Sequence, residues 1–481
     1  MTASEVVGFA KTGGLADVAG ALPPALARRG HDCAVALPLY HCARLGKVPV
    51  QPTQHVLRIP MAGRNVEGKL WRATLPGSDV PAFLVDQPDY FDRDNPSFGR
   101  GLYGFLRTNG TRGDYPDNDE RFIFFCRAVL EAIRLFDFWP DIVHANDWQT
   151  GLAPVYLREE YNRYPNPALQ ARYNNIRTLF TVHNIAYQGA FWSGTTVAAG
   201  LDWRLYNPSQ LECYGHFNFL KAGLVFSDFI NTVSPTYARE IQTPYYGCGL
   251  HGVLSERRDR LSGIVNGLDS HVWDPAADPH LPDHYCADAL EPGKPRCKAA
   301  LQERCGLQED PAAALLGVVA RLVEQKGIDL ICRAAPGFLQ RGAQMVVLGD
   351  GDPHYRGMLE GLRGQFPGQV SLTFSFDEPL AHLIEAGADL FLMPSLYEPS
   401  GLNQLYSMRY GTPPVVRATG GLADTVVDAS VTNLEQGTAT GFSFLAYTPD
   451  AFLGAVLRGI DVYRGPGGAW HRLVQTAMRQ D

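Results

Sequence analysis

Ala314-Leu-Leu-Gly-Val-Val-Ala320 runs straight into Arg321-Leu-Val-Glu-Gln-Lys326-Gly327, so an unbroken apolar stretch ends abruptly at two cations and a glycine. A short run of this kind, apolar at consecutive positions and closed by polar residues, reads as a parallel strand buried on both faces. Similar runs recur at 34–37, 141–144, 178–182, 229–233, 345–348, 390–393 and 414–416, separated by amphipathic stretches. That alternation predicts an α/β fold, with parallel strands joined by crossover helices. In open parallel sheets ligands bind beyond the carboxyl ends of the strands, so the junctions where these runs turn polar are where chemistry is to be sought.

A chain of 481 residues with 45% hydrophobic content exceeds one core, and two domains are expected. The polar stretch 257–262 precedes Gly263-Ile-Val-Asn266-Gly267, which reads as a fresh strand and turn, placing domains at 1–260 and 261–481. A short repeat supports two related halves: Gly13-Gly14-Leu15-Ala16-Asp17 recurs as Gly420-Gly421-Leu422-Ala423-Asp424, each time opening a helical pattern. The formal charge of −8 gives no general field toward nucleic acid or an anionic membrane. Nine scattered cysteines form no CxxC pair or Cys/His cluster, which disfavours a disulfide framework and a zinc site and fits a reducing cytosol. No basic region followed by an apolar core opens the chain, and no apolar run reaches membrane-spanning length, so a cytoplasmic protein is expected.

Lys11 beside Gly13 and Gly14 puts a cation at a helix start, where free amides and the helix dipole favour an anion; the pair alone reads more readily as an ordinary tight turn with a solvated lysine. Arg321 and Lys326 leave one strand end together and suit a diphosphate leaving group, although Glu324 offers them a surface partner. Ser395-Leu-Tyr-Glu398-Pro-Ser400-Gly401-Leu402 follows the run at 390–393, which sets Glu398 at a strand end and the amides of Gly401 and Leu402 where a phosphate would cap them. His144-Ala-Asn-Asp147-Trp148 and Val182-His183-Asn-Ile-Ala-Tyr-Gln-Gly189 occupy two more strand exits, with Asp147 and His183 suited to sugar hydroxyls and Trp148 to a sugar face. Asp-x-Asp pairs occur at Asp92 and Asp94, Asp117 and Asp119, and Asp350 and Asp352. Such pairs chelate divalent metals elsewhere, but here they fall in turn-rich sequence or at a polar strand exit, and no metal is expected.

Together these blocks resemble the bacterial glycogen synthases and plant starch synthases, ADP-glucose-using retaining GT-B glycosyltransferases of family GT5, over nearly the whole chain. The family's Lys-Thr-Gly-Gly-Leu stands at Lys11 to Leu15, His-Ala-x-Asp-Trp at His144 to Trp148, Thr-Val-His-Asn-x-Ala-Tyr-Gln-Gly at Thr181 to Gly189, and Ser-Pro-Thr-Tyr-Ala-Arg-Glu at Ser234 to Glu240. The resemblance implies two Rossmann-like, doubly wound parallel-sheet domains facing an interdomain cleft, the first on the glucan side and the second on the donor side. It implies that Lys11 binds ADP-glucose, that Arg321 and Lys326 hold the diphosphate, and that Glu398 lies beside the transferred glucose. By the same carry-over Asp147, His183, Tyr103, Trp148, Asn266 and Gln325 sit near donor or acceptor sugar, and Thr425 contacts phosphate. The implied partners are ADP-glucose and an α-1,4-glucan primer, glycogen or a maltooligosaccharide, with no cofactor beyond the donor and no nucleic acid or membrane.

Three departures accompany the match. Ser400 stands where many bacterial members have cysteine, and Phe376 where several have a tyrosine to stack on adenine, which keeps the π-face. Only Met1 and Thr2 precede the Ala3-Ser-Glu5 segment, so the first strand is expected to be short, and the family's aromatic-containing terminal helix that returns to the N-terminal domain is expected to be missing. Competing readings are a UDP-glucose transferase with a small acceptor, a glucan-binding protein without turnover, and a dinucleotide oxidoreductase; no GxGxxG follows a convincing strand near either domain start, which disfavours the last.

Overall fold

The computed structural model describes residues 1–93, 101–106, 112–270, 272–466 and 468–480. The chain forms two compact units, Met1–Val233 with Ala238–Ile264, and Val265–Asp481 with the short stretch Ser234–Tyr237. The division falls four residues beyond the expected boundary, at the end of the strand Leu261–Gly263, which pairs with Phe229–Thr232 and so belongs to unit 1.

Unit 2 carries a six-stranded, wholly parallel sheet in the order Val370–Thr373, Gln344–Leu348, Leu315–Val319, Leu390–Met393, Pro414–Arg417, Phe442–Phe444. Numbered by chain position this is 3-2-1-4-5-6, the doubly wound order, in which the direction of winding reverses between the first and fourth strands. The central strands Leu315–Val319 and Leu390–Met393 are apolar throughout because both faces are covered. Leu316, Val318, Met345 and Val347 pack under the helices Ile328–Leu339 and Pro449–Arg464. Their alternates Leu315, Val346 and Leu348 pack under Gly293–Arg304, Glu378–Gly387 and Ala469–Met478.

Unit 1 is mixed. Its order runs Gln51–Met61, Arg64–Thr74, Pro81–Asp86, Val35–Pro38, and separately Ile142–Asn146, Arg177–Val182, Phe229–Thr232, Leu261–Gly263. Thr2 joins the two halves through parallel bridges to Ala36 and Ala145. The expected first strand is short, yet these residues still close the sheet: Ala36 donates to Met1 O at 2.9 Å, Thr2 donates to His144 O at 2.8 Å, and Asn146 Nδ2 donates to Thr2 O at 3.0 Å.

The antiparallel part of unit 1 was not expected. Gln51–Met61 and Arg64–Thr74 pair through the turn at Ala62 and Gly63, with buried residues alternating with exposed ones along both strands. Half-buried strands carry no continuous apolar run, so a search for such runs passes over them.

Candidate active site

In unit 2 the strands that flank the winding reversal are Leu315–Val319 and Leu390–Met393, and the residues after their carboxyl ends are the ones singled out by the sequence. Beyond Val319 the chain turns through a single 3₁₀ turn, Glu324–Lys326, and enters Ile328–Leu339 at Gly327, whose φ of 67° lies in the left-handed region. A Cβ on Gly327 would overlap the Pro394 carbonyl, so glycine here lets the two strand exits touch. Across that contact Lys326 Nζ lies 2.6 Å from Glu398 Oε2, and Ser395 Oγ donates to the same oxygen at 3.0 Å. Glu398 is buried and Lys326 is nearly so, which makes this a desolvated, hydrogen-bonded pair. Arg321 is exposed and makes no ion pair among the described residues.

The second glycine loop locks onto the carboxylate loop. A Cβ on Gly420 would overlap the Glu398 carbonyl, and one on Gly421 would overlap that of Ser400, while Gly421 N donates to Glu398 O at 3.1 Å. Gln404, fully buried, donates through Nε2 to Ser400 O at 2.9 Å, Gly401 O at 3.2 Å and Thr425 Oγ1 at 3.2 Å. Gly401 has a φ of 68°, and Leu402 caps the helix Asn403–Arg409. Thr425 donates its hydroxyl proton to Gly421 O at 2.6 Å, within its own helical turn, and is joined to the carboxylate loop by the bond it accepts from Gln404. Gln325 is buried and braces the other exit, its Nε2 donating to Tyr397 O at 3.2 Å and its carbonyl accepting from Leu396 N at 2.9 Å.

In unit 1 the first glycine loop already holds an anion. The buried Glu5 carboxylate accepts from Thr12 N, from Gly13 N at 3.2 Å, from Thr12 Oγ1 at 2.6 Å and from the Tyr103 hydroxyl at 2.7 Å. Gly13 caps the helix Gly14–Ala27, so two of the amides expected to receive a phosphate are taken by the protein itself. Tyr103 stays a donor, because burial and then the neighbouring Glu5 charge push its ionisation well above the usual phenol range. Lys11 Nζ rests on Asp17 Oδ1 at 2.7 Å at the surface, an exposed pair that gives way readily to a ligand anion. Glu5 was missed by the sequence reading, because only the fold brings its carboxylate under the amides of Thr12 and Gly13 and beside Tyr103.

Asp147 follows the strand Ile142–Asn146 with φ 56° and ψ −178°, a conformation almost confined to glycine that stores about 1–3 kcal/mol. Its Oδ1 accepts from His183 N at 2.7 Å. Burial pushes the Asp147 carboxyl up to about 7, against the downward pull of the His183 and Asn184 amides. His183 is buried, and desolvation holds its imidazole down at about 4. Asn146 points Nδ2 at the carbonyls of Thr2 and His144, so its Oδ1 accepts from His183 Nε2 at 2.9 Å and fixes Nδ1 as the ring's acceptor. Trp148 does not present the open face expected of it: its indole is enclosed by Phe122, Phe191, Phe219 and Tyr103, with Gly189 tight against the ring.

Phe376 is 89% exposed after the strand Val370–Thr373, and Asn266 is half-buried at the start of unit 2. Of the Asp-x-Asp residues, Asp94 lies outside the described residues. Asp92 faces His41, Asp117 faces Arg93, Asp119 accepts from Thr195, Asp350 faces Arg356 and Asp352 caps the helix Pro353–Gln365.

Residues 1–256 match the family model described as the starch synthase catalytic domain, and residues 302–460 the model for glycosyl transferases group 1. The chain is 48% identical to a glycogen synthase of Anaeromyxobacter dehalogenans (strain 2CP-C), covering 100% of this chain and 95% of that protein. It is 46% identical to the glycogen synthase of Syntrophotalea carbinolica, covering 100% and 94%. Among solved structures, the catalytic domain of starch synthase IV from Arabidopsis thaliana, bound to ADP and acarbose, is 34% identical with a TM-score of 0.89, covering 100% of this chain and 94% of that one. Matched along its whole length, with two parallel-sheet units and a cation–carboxylate pair at the winding reversal of the second, the chain belongs to the glycogen and starch synthase family of GT-B glycosyltransferases.

Proposed function

We propose that the chain transfers glucose from ADP-glucose to the 4-hydroxyl at the non-reducing end of an α-1,4-glucan, with retention of configuration and release of ADP. The observation that carries this reading is the buried Lys326–Glu398 pair beside the exposed Arg321, at the carboxyl ends of the two strands where a doubly wound sheet takes its ligand. The Arabidopsis relative's bound ADP supports the nucleotide half, and the curated glycogen synthases support the polymer half.

In this reading the bond from the glucose C1 to the diphosphate oxygen breaks, and negative charge grows on the departing ADP. Arg321 and Lys326 neutralise it, with Lys11 exchanging Asp17 for the donor. The same charges make a metal unnecessary for the step. C1 becomes oxocarbenium-like, and the Glu398 carboxylate stabilises it as a fixed charge; among the described residues Oε2 accepts the bonds from Lys326 and Ser395, leaving Oε1 for substrate. The acceptor O4 bonds to C1 on the face that the diphosphate leaves, and its proton passes to the departing oxygen, which preserves the anomeric configuration.

His183 Nδ1 and the Asp147 carboxylate accept from sugar hydroxyls, Phe376 stacks on adenine, the amides of Gly401 and Leu402 face phosphate, and Asn266 contacts sugar. Glu5 and Tyr103 hold the Lys11 loop in place, as Gln404 and Thr425 hold the Glu398 loop. The free cysteines and the bacterial relatives support a bacterial cytoplasmic setting.

The test measures ADP and UDP release from ADP-glucose and UDP-glucose, each with and without glycogen, with Glu398→Ala as control. Glycogen-dependent release from ADP-glucose, absent in the control, is expected. Equal or preferential release from UDP-glucose overturns the donor assignment, and full activity in a folded Glu398→Ala overturns the site.

A further inference from the structure

Arg121, in the helix Asn118–Leu135 of unit 1, is only 1% exposed, a long cationic side chain set in the core. Among the described residues its hydrogen bonds all end on uncharged oxygens: Nε donates to Tyr90 O at 2.7 Å, Nη1 to Asn118 Oδ1 at 2.6 Å and Nη2 to Leu102 O at 2.9 Å. The rings of Tyr115, Phe122 and Phe91 surround the guanidinium, with centroids 4.9, 5.4 and 5.5 Å from its central carbon. The nearby Asp117 is engaged by Arg93, which lies 4.4 Å over the Tyr115 ring. A desolvated cation held only by dipoles and ring faces carries a heavy solvation penalty, and an apolar side chain of similar volume would fill the space without it. What arginine alone supplies is a rigid fork of donors that reaches three separate oxygens at once.

Two of those bonds fix successive carbonyls. Leu102 O is held by Arg121 directly. Tyr103 O is held through Asn118: the Asn118 Oδ1 is occupied by the guanidinium, which leaves Nδ2 to donate to Tyr103 O at 2.8 Å, where Tyr115 N also donates, at 3.0 Å. With both carbonyls fixed, the Tyr103 ring leaves the backbone in one direction, and its hydroxyl reaches Glu5 Oε1 at 2.7 Å beside Ser4 Oγ at 2.7 Å. Glu5 in turn receives Thr12 N, Thr12 Oγ1 and Gly13 N, the groups that follow Lys11 in the chain. An unbroken series of hydrogen bonds therefore runs from Arg121 through Asn118, the Tyr103 residue and Glu5 to the loop that carries Lys11.

We infer that Arg121 is a positioning residue for the donor site: acting through Asn118 and Tyr103, it keeps the Glu5 carboxylate under the amides of Thr12 and Gly13 and so sets where Lys11 meets ADP-glucose. The inference rests on the reading of Lys11 as a donor contact. Arg121 takes no part in the bond changes themselves.

The experiment measures amide hydrogen exchange by mass spectrometry over residues 9–17, with the strand Arg177–Val182 as internal control, together with steady-state ADP release and thermal melting. The proteins compared are the parent, Arg121→Lys, Asn118→Asp, Tyr103→Phe and the double variant Arg121→Lys with Tyr103→Phe. Lysine keeps the charge but cannot span the three oxygens. Aspartate keeps the acceptor toward Arg121, now as an ion pair that supports the fold, and removes the donor to Tyr103 O. Arg121→Lys and Asn118→Asp are each expected to speed exchange at Thr12 and Gly13 by roughly tenfold, the scale of one hydrogen bond to a charged group, with the control strand unchanged. Each is expected to raise KM for ADP-glucose by roughly three- to tenfold while kcat and KM for glycogen stay within about twofold of the parent. The double variant is expected to match Tyr103→Phe alone, because the effect passes through that hydroxyl.

Unchanged exchange at Thr12 and Gly13 in the folded variants overturns the inference, as does a double variant whose losses multiply. Faster exchange spread equally to 177–182 also overturns it, since that makes Arg121 purely structural. If Arg121→Lys fails to fold, Asn118→Asp carries the test by itself. Exchange needs no turnover: a parent that releases no ADP would remove the synthase reading, while the exchange rates would still decide whether Arg121 holds the loop.

Discussion

The carbonyl of Glu398 lies against Cα of Gly420 so closely that a side chain at 420 would collide with it. The carboxylate loop and the second glycine loop are thus one mechanical unit, and Gly420, with a φ of 46°, is the pin between them. Gly420→Ala is expected to cost about 2–4 kcal/mol through strain and overlap, and to lower turnover well beyond that because Glu398 moves with its backbone. The first loop has the same sequence but different geometry: nothing lies within 4 Å of a Cβ at Gly13, and its φ is −158°. Gly13→Ala is expected to cost under about 1 kcal/mol. Thermal melting of both variants checks the contrast, and equal losses would remove the distinction between the two loops.

Lys326 and Glu398 are each the other's main counter-charge, so single substitutions leave a desolvated charge behind. Lys326→Ala and Glu398→Ala are each expected to retain the fold and to lower kcat by about 10²–10³, the effect of removing one preorganised charge from a transition state. The double variant is expected to lose far less than the product of the two, since the groups act together. Circular dichroism with steady-state ADP release checks this, and turnover is expected to persist in excess EDTA.

Gln404 joins Ser400, Gly401 and Thr425 through a single amide nitrogen. Gln404→Leu fills the space but leaves buried carbonyls without donors, so a loss of about 1–3 kcal/mol is expected. If the residue positions the Glu398 loop, kcat falls while glycogen retention holds. A stability loss with unchanged kcat would make it purely structural.

The strands legible in the sequence were those buried on both faces: 390–393 coincides with Leu390–Met393, and the other runs agree to within a residue or two at either end. The hairpins were not legible, because residues 51–74 alternate and carry prolines. At the site, motif position singled out Lys326 and Glu398, which the fold joins; it also singled out Trp148, Gln325 and Thr425, but not that aromatic rings enclose Trp148 or that Gln325 and Thr425 hydrogen-bond within the site loops. Partners far apart in sequence decide that difference. Glu5 shows the converse, since its role is visible only once Thr12, Gly13 and Tyr103 converge on it.

Asp147 and His183, joined by the bond from His183 N to Asp147 Oδ1, titrate in opposite senses. Asp147 has its folded value raised from 3.8 to about 7, so the native state binds the extra proton, and stability from this group falls as pH rises from about 4 to 7. His183 is lowered from 6.5 to about 4, so the unfolded state binds the extra proton, and stability falls as pH drops through the same interval. Each group alone contributes a slope of at most about 1.4 kcal/mol per pH unit, with Asp147 below that limit because its side chain is partly open to solvent. The two nearly cancel in the parent. Asp147→Asn keeps the acceptor for His183 N and removes the opposing carboxyl, so it is expected to melt above the parent at pH 8 and to lose stability more steeply between pH 6.5 and 4. His183→Asn is expected to do the reverse, leaving the Asp147 slope alone, so that stability rises as pH falls from about 7 to 4. Melting temperatures from pH 4 to 8 check both. Parallel curves for Asp147→Asn and the parent would mean that the carboxyl is not held up by burial, and would remove the reason to regard it as poised near neutrality for a sugar hydroxyl.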